Sequence, residues 1–147
     1  MSKFLDRMKE TAKSDVKTIV LPEGEDQRTI DAAKKIVAEG IAKIIILGNA
    51  EQINVPGATV VDPATDERHE AYAQKFAELR ARKGVTIEEA RKQMNDATYF
   101  ATMMVKMGDA DGLVSGACHS TANTLRPALQ IIKTAPGTKL VSAFFIM

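Results

Sequence analysis

Apolar positions along this chain alternate between two rhythms: short continuous runs, and longer stretches repeating every three to four residues. Phe4, Leu5, Met8 and Ala12 fall on one side of a short amino-terminal helix. Residues 17–21 (KTIVL) read as a strand closed by Pro22-Glu23-Gly24. Asp26 is placed to cap a helix whose Ile30, Ala33 and Val37 share a face, and Gly40 to end it. Residues 42–47 (AKIIIL) form a nearly unbroken β-branched run, as expected of a strand covered on both faces. Thr59 to Val61 is a further short strand candidate, stopped by Asp62-Pro63. A helix carrying Tyr72, Phe76 and Leu79 as one stripe follows, with Gly84 past its end.

Thr86 and Glu89 make a capping-box pattern ahead of a periodic segment through Met104 that Asn95-Asp96 splits in two. Residues 113–115, a helix beyond the next loop, and residues 140–146 complete the pattern. Strands alternating with helices imply βαβ units, an α/β fold with a mostly parallel sheet, and ligands at the carboxyl ends of strands. Met94, Met103, Met104 and Met107 are read as core filler.

The stretch ADGLVSGACHSTANTLRPALQIIK, residues 110–133, carries the clearest chemistry. An apolar run breaks into small and polar residues, which lead into an amphipathic segment with Arg126. A helix start offers unpaired N–H groups and partial positive charge. Ser115, Ser120, Thr121 and Thr124 add hydroxyls, and Arg126 a planar fork suited to phosphate or carboxylate. A polar crossover with an N-cap would have a similar composition; the strand's carboxyl end and the arginine favour an anion site. Pro127 is tolerated best in a first turn, so the helix is expected to start near Asn123 and leave 120–123 as open loop.

Other candidates read more plainly. Glu23, Glu25 and Asp26 precede a helix and are taken as caps and dipole partners; Arg80, Arg82 and Lys83 end one and suit its dipole. Cys118 and His119 are neighbours in an extended loop, expected to point apart, with no third group to orient them. With His69 they show no metal-ligand spacing, so no metal is expected. Neither G-x-x-x-x-G-K-[ST] nor a G-x-G-x-x-G after a strand is present, which disfavours P-loop and ordinary dinucleotide binding.

Composition narrows the class. The 147 residues suit one domain of ordinary size. Lys plus Arg number 20 against 19 Asp plus Glu, a net charge of +1, which argues against a nucleic-acid-binding module. One cysteine fits a reducing compartment, and no run reaches the ~20 apolar residues of a membrane span, so a cytoplasmic protein is expected. The chain stops inside its most hydrophobic heptad, VSAFFIM. A terminal strand inserted in the sheet is one reading; the preferred one is the amino-terminal part of a longer protein.

The segments LPEGEDQRTIDAAKKI, ELRARKG, YFATMMVKMGDADGLVSGACHSTANTLRPALQIIKT and SAFFIM resemble the amino-terminal half of bacterial phosphate acetyltransferases. The resemblance runs in order from about Met1 to the last residue. It implies a three-layer α/β/α fold like that of isocitrate and isopropylmalate dehydrogenases, incomplete here. Residues 1–138 would belong to the first domain, and 139–147 would start the strand leading into a second. It implies reversible acetyl transfer between CoA and phosphate, with both as substrates and no cofactor, and a homodimer in the full-length protein. Substrate contacts map to Arg80, Ser120, Thr121, Thr124 and Arg126. The family's catalytic aspartate, with a partner serine and arginine, lies in the other half. No catalytic residue is therefore assigned, and the isolated chain is expected to be nearly inactive. Cys118 stands where relatives often have alanine. Two alternatives stay open: a non-catalytic module binding acyl-CoA or acyl phosphate, and a phosphate butyryltransferase.

Overall fold

The structure, a computed structural model, describes residues 3–142. Four parallel strands stand in the order β3-β2-β1-β4: β1 is Thr18–Leu21, β2 Lys43–Leu47, β3 Thr59–Val61 and β4 Gly112–Leu113. Six α-helices surround them: α1 Lys3–Ser14, α2 Gln27–Glu39, α3 His69–Arg80, α4 Ile87–Gln93, α5 Ala97–Met107 and α6 Thr121–Ile131. Parallel neighbours cannot be joined by tight hairpins, so every pairing spends a crossover and places the connections over the sheet faces.

Each face has its own core. On one side Leu21, Ile44 and Ile46 meet Ile30 and Ala33 of α2 together with Val55. On the other, Val20, Leu47 and Val61 lie under Tyr72, Phe76, Phe100, Met103, Met104 and Ile131 from α3, α5 and α6. Val20 and Leu21 are adjacent yet belong to opposite cores, the period-two alternation of a strand buried on both sides. Helices on both faces of a parallel sheet give the three-layer α/β architecture that the sequence predicts.

Local signals act as written. Asp26 accepts from the Arg28 N–H, and Gly40 closes α2 in the left-handed region. Thr86 and Glu89 complete their capping box, and Asp96 caps α5 by accepting from Thr98 and Tyr99. Met94, Met103 and Met104 are fully buried, whereas Met107, in the last turn of α5, is 44% exposed and fills no core. The amino-terminal helix forms but buries no residue.

Two expectations fail. The helix after the loop starts at Thr121, earlier than Pro127 suggests, because Ser120 caps it by accepting from the Asn123 N–H and Thr124 Oγ1 bonds back to the Ser120 carbonyl. Pro127 is therefore inside α6, buried, with no N–H to give the Asn123 carbonyl. Of the strand expected over 140–146, Leu140 to Ser142 are not in a strand, and the remainder lies outside the described residues.

The turn after β1 is set by Gly24. Its N–H donates to the Leu47 carbonyl at 3.2 Å, and a Cβ there would run into that carbonyl and into Ile46 and Ile53. Backbone cannot yield as a flexible side chain does, so Gly24→Ala is expected to cost about 1–3 kcal/mol. A thermal melt should show a drop of roughly 3–10 °C, and a variant melting within about a degree of the parent would contradict the close approach.

Candidate functional site

The loops at the carboxyl ends of β1 and β4 meet on one side chain. Glu23, in the turn after β1, is 2% exposed and reaches across to the loop between β4 and α6. Its Oε2 accepts the N–H groups of Gly116 and Ala117 at 2.9 Å each, and its Oε1 those of Cys118 at 3.0 Å and His119 at 3.1 Å. Burial by itself would raise the carboxyl's pKa, but four N–H donors outweigh it and hold the group down at about 2. Glu23 is thus no helix cap. Among the three acids, only Asp26 caps α2, pinned also by Arg28, whose guanidinium bonds the Ala117 carbonyl.

Cys118 and His119 do not point apart. Cys118 Sγ lies 3.7 Å from Glu23 Oε1 and 3.5 Å from Glu25 Oε1. His119 places Nδ1 3.2 Å from Glu23 Oε1 and Nε2 3.5 Å from Glu25 Oε1. The orienting group absent from the loop's own sequence comes from the turn 93 positions earlier. His69 is elsewhere, against Asn95 Oδ1 at 3.2 Å. Ser115 is separated from the other hydroxyls: its Oγ is buried without a hydrogen-bond partner, beside the apolar hollow lined by Ile19, Leu21 and Ile44.

The remaining candidates sit on α6 and at the end of α3. Ser120, Thr121 and Thr124 share one side of the first turn of α6, while Asn123, Arg126 and Gln130 recur at three and four residues on another. Ser120 Oγ accepts from Asn123, and Thr124 Oγ1 donates to the Ser120 carbonyl. The N–H groups of Thr121 and Ala122 have no partner among the described residues and form the open positive end of the helix.

Arg126 lines a hollow of about 160 Å³ with Gln93, Asp96, Tyr99 and Asn123. Arg80 lines one of about 640 Å³ with Lys83, Lys92, Gln93, Tyr99 and Gln130 among its walls. Tyr99 and Gln93 belong to both, so the two arginines stand on either side of one phenol. Tyr99 Oη donates to Gln130 Oε1 at 3.0 Å; burial, joined by Asp96, raises its pKa against the opposing pull of Arg126 and Arg80. Neither arginine makes an ion pair among the described residues, and Arg80 Nε is buried with no acceptor. A buried guanidinium N–H without a partner is an unmet demand for an anion or a polar ligand atom.

Sequence reasoning missed Tyr99, Gln93, Gln130, Lys83 and Lys92 as parts of one wall. Lys83 was visible only as a helix-end charge, and Lys92 only as a residue of a capped helix; nothing in linear spacing joins them across α3, α4, α5 and α6. Glu23 was visible as an acid, and its role depends on a partner loop far along the chain.

The family model described as phosphate acetyl/butaryl transferase matches residues 3–147. The phosphate acetyltransferase of Acetivibrio thermocellus is 54% identical over 98% of this chain and 46% of that relative. That of Thermoanaerobacterium thermosaccharolyticum is 52% identical over 94% of this chain and 44% of its own length. A crystal structure of a phosphotransacetylase from Streptococcus pyogenes superposes with a TM-score of 0.89 at 40% identity, covering 95% of this chain and 46% of that one. The chain therefore spans about half the length of the curated relatives it matches.

Glu23→Gln removes the charge and turns an amide N–H toward backbone donors. Glu23 titrates at about 2 in the fold against an ordinary 4.5, so its contribution to stability is complete above 4.5 and fades as pH falls toward 2. The stability gap between parent and Glu23→Gln should be widest near neutrality and close over that acid range. Urea unfolding at stepped pH values measures it; a gap constant with pH would show that the carboxylate's charge is not what holds the loop.

Proposed function

The chain belongs to the phosphate acetyl/butaryl transferase family, and from that premise we propose that it supplies the CoA- and phosphate-binding half of a phosphate acetyltransferase. The observation that carries this reading is the pair of arginines without ion pairs around Tyr99, flanked by Lys83 and Lys92. Arg80, Lys83 and Lys92 outnumber Glu89, which is engaged in its capping box, on the larger hollow and suit the multiply charged phosphates of CoA. Ser120, Thr121, Thr124 and the open N–H groups of α6 suit the single phosphoryl group of acetyl phosphate, and Arg126, on the other side of the helix with Asn123, is the cation this reading assigns to it.

The reaction needs little from these residues beyond position and charge. The CoA thiolate adds to the acetyl carbonyl carbon of acetyl phosphate; a C–S bond forms and the carbonyl oxygen takes the negative charge. Collapse breaks the bond between carbon and the bridging oxygen, and phosphate leaves with its electron pair. Donors aimed at an oxyanion and a leaving phosphate are worth about 3 kcal/mol each in such steps. Arg126 and the α6 end fill that role. No general base is assigned among these residues: Glu23 is spent on four N–H groups, and the Cys118 thiol is pushed up to about 11, by desolvation first and then by Glu25 and Glu23.

The acetyl group is favoured over butyryl because the relatives that match most of this chain carry the acetyl name. A cytoplasmic homodimer belongs to this reading; the single cysteine suits a reducing compartment. The apolar stripe Leu125, Leu129 and Ile132 on the outer side of α6 leaves surface for further packing. No helix among the described residues is long and apolar enough to cross a membrane.

Calorimetric titration of the 147-residue chain with CoA, acetyl phosphate and inorganic phosphate tests the reading. Loss of a charged hydrogen-bond partner is worth about 1.5–3 kcal/mol, roughly 10- to 100-fold in affinity. Arg80→Ala should weaken CoA by that factor and phosphate much less, and Arg126→Ala should weaken phosphate and acetyl phosphate. Parental affinities in both variants, or no binding by the parent, would refute the assignment.

A further inference from the structure

Glu25, Cys118 and His119 form a cluster in front of Glu23 that the acetyl-transfer reading leaves unused. They come from two loops at strand carboxyl ends, and the Glu23 bonds already fix both loops in place. The donor atoms of Glu23, Cys118 and His119 all lie within 4.8 Å of one another. Glu25 Oε1 stands 3.5 Å from Cys118 Sγ and 3.5 Å from His119 Nε2. A thiolate, an imidazole and a carboxylate around one tetrahedral ion, with bonds of about 2.3, 2.0 and 2.0 Å, would sit about 3.3–3.5 Å apart. Both measured edges fall on that scale.

We propose that Cys118, His119 and Glu25 bind a divalent transition-metal ion of the zinc class, with Glu23 as the buried carboxylate behind the imidazole. The donor set decides the class, since one sulfur, one nitrogen and one oxygen select zinc-like ions over magnesium or calcium. Each oxygen of Glu23 already takes two N–H groups, so it stays out of the coordination sphere and faces Nδ1. That leaves Nε2, the ring nitrogen 3.5 Å from Glu25 Oε1, for the ion. The Nδ1 atom is buried 3.2 Å from Glu23 Oε1 and makes no hydrogen bond among the described residues. On binding, the Cys118 S–H bond breaks, its proton leaves to solvent, and the sulfur electron pair forms the metal–sulfur bond. Glu25 has no lysine or arginine partner among the described residues, and its open charge favours a cation here. Arg28 also faces it, held by Asp26 and the Ala117 carbonyl.

The site does not rest on the acetyl-transfer reading, because its donors are other atoms. The 147-residue chain, kept reduced, is titrated with Co2+ and followed by its near-ultraviolet thiolate-to-metal charge-transfer absorption. One ion per chain is expected, with the band displaced by Zn2+ and absent from Cys118→Ala. Glu25→Gln and His119→Asn should each weaken the ion at least tenfold, the lower end of what a lost metal-site partner costs. Glu25 is exposed, so Glu25→Gln keeps the test valid even if His119→Asn unfolds, which melting curves would reveal. No band in the parent overturns the proposal. So does a band whose affinity both variants leave unchanged, since that is an adventitious ion on a lone thiol.

Discussion

One buried carboxylate organises the functional end of this molecule. Removing a carboxylate from water costs several kcal/mol unless its lone pairs are met, and Glu23 meets them with the N–H groups of four consecutive residues, 116–119. The loop gains as much as the acid does, because those four amides would otherwise be donors without acceptors. Everything nearby inherits this contact. Gly24 must be glycine so that the turn carrying Glu23 can pass against the end of β2. Arg28 latches the Ala117 carbonyl from α2. The Ser120 cap begins where the clamped loop ends, which fixes where α6 starts and which way its first turn points.

The clamp also changes what the loop can bind. A run of small residues at a strand's carboxyl end, ahead of a helix, resembles a cradle of backbone amides for a phosphate. Here the protein's own carboxylate fills that cradle. The donors left open nearby are the Thr121 and Ala122 amides at the start of α6. The loop is a rigid mount for the helix end more than it is a binding surface.

This explains which parts were legible in the chain. Strand and helix identities were written locally: the β-branched runs became β1 and β2, and Asp26, Thr86, Asp96, Gly40 and Gly84 start or stop elements where their chemistry predicts. Pro127 misled because a proline's cost is one missing bond, and the Ser120 cap, the Thr124 back-bond and burial against α5 outweigh it. Glu23 was misread for a different reason. An acid before a helix is usually a cap, and only contacts across more than ninety positions reveal that it faces the other loop. The same distance hid Glu25 from Cys118 and His119.

Charge shows the limit most clearly. A net charge of +1 says that the chain has no strong overall field, yet Arg80, Lys83 and Lys92 converge on one hollow while the open carboxylate of Glu25 stands by Cys118 and His119 in a second patch. Both arise from folding, since neither group is contiguous in the chain. Local charges of opposite sign cancel in the sum. A small anion and a small cation are both steered by the local field, because screening removes contributions beyond about 8–10 Å. Fields of that range can serve two ligands at once, provided something rigid keeps the patches apart. The loop held by Glu23 is that spacer: its four amides neutralise the carboxylate nearest to α6, and the positive end of the helix stays available to an anion.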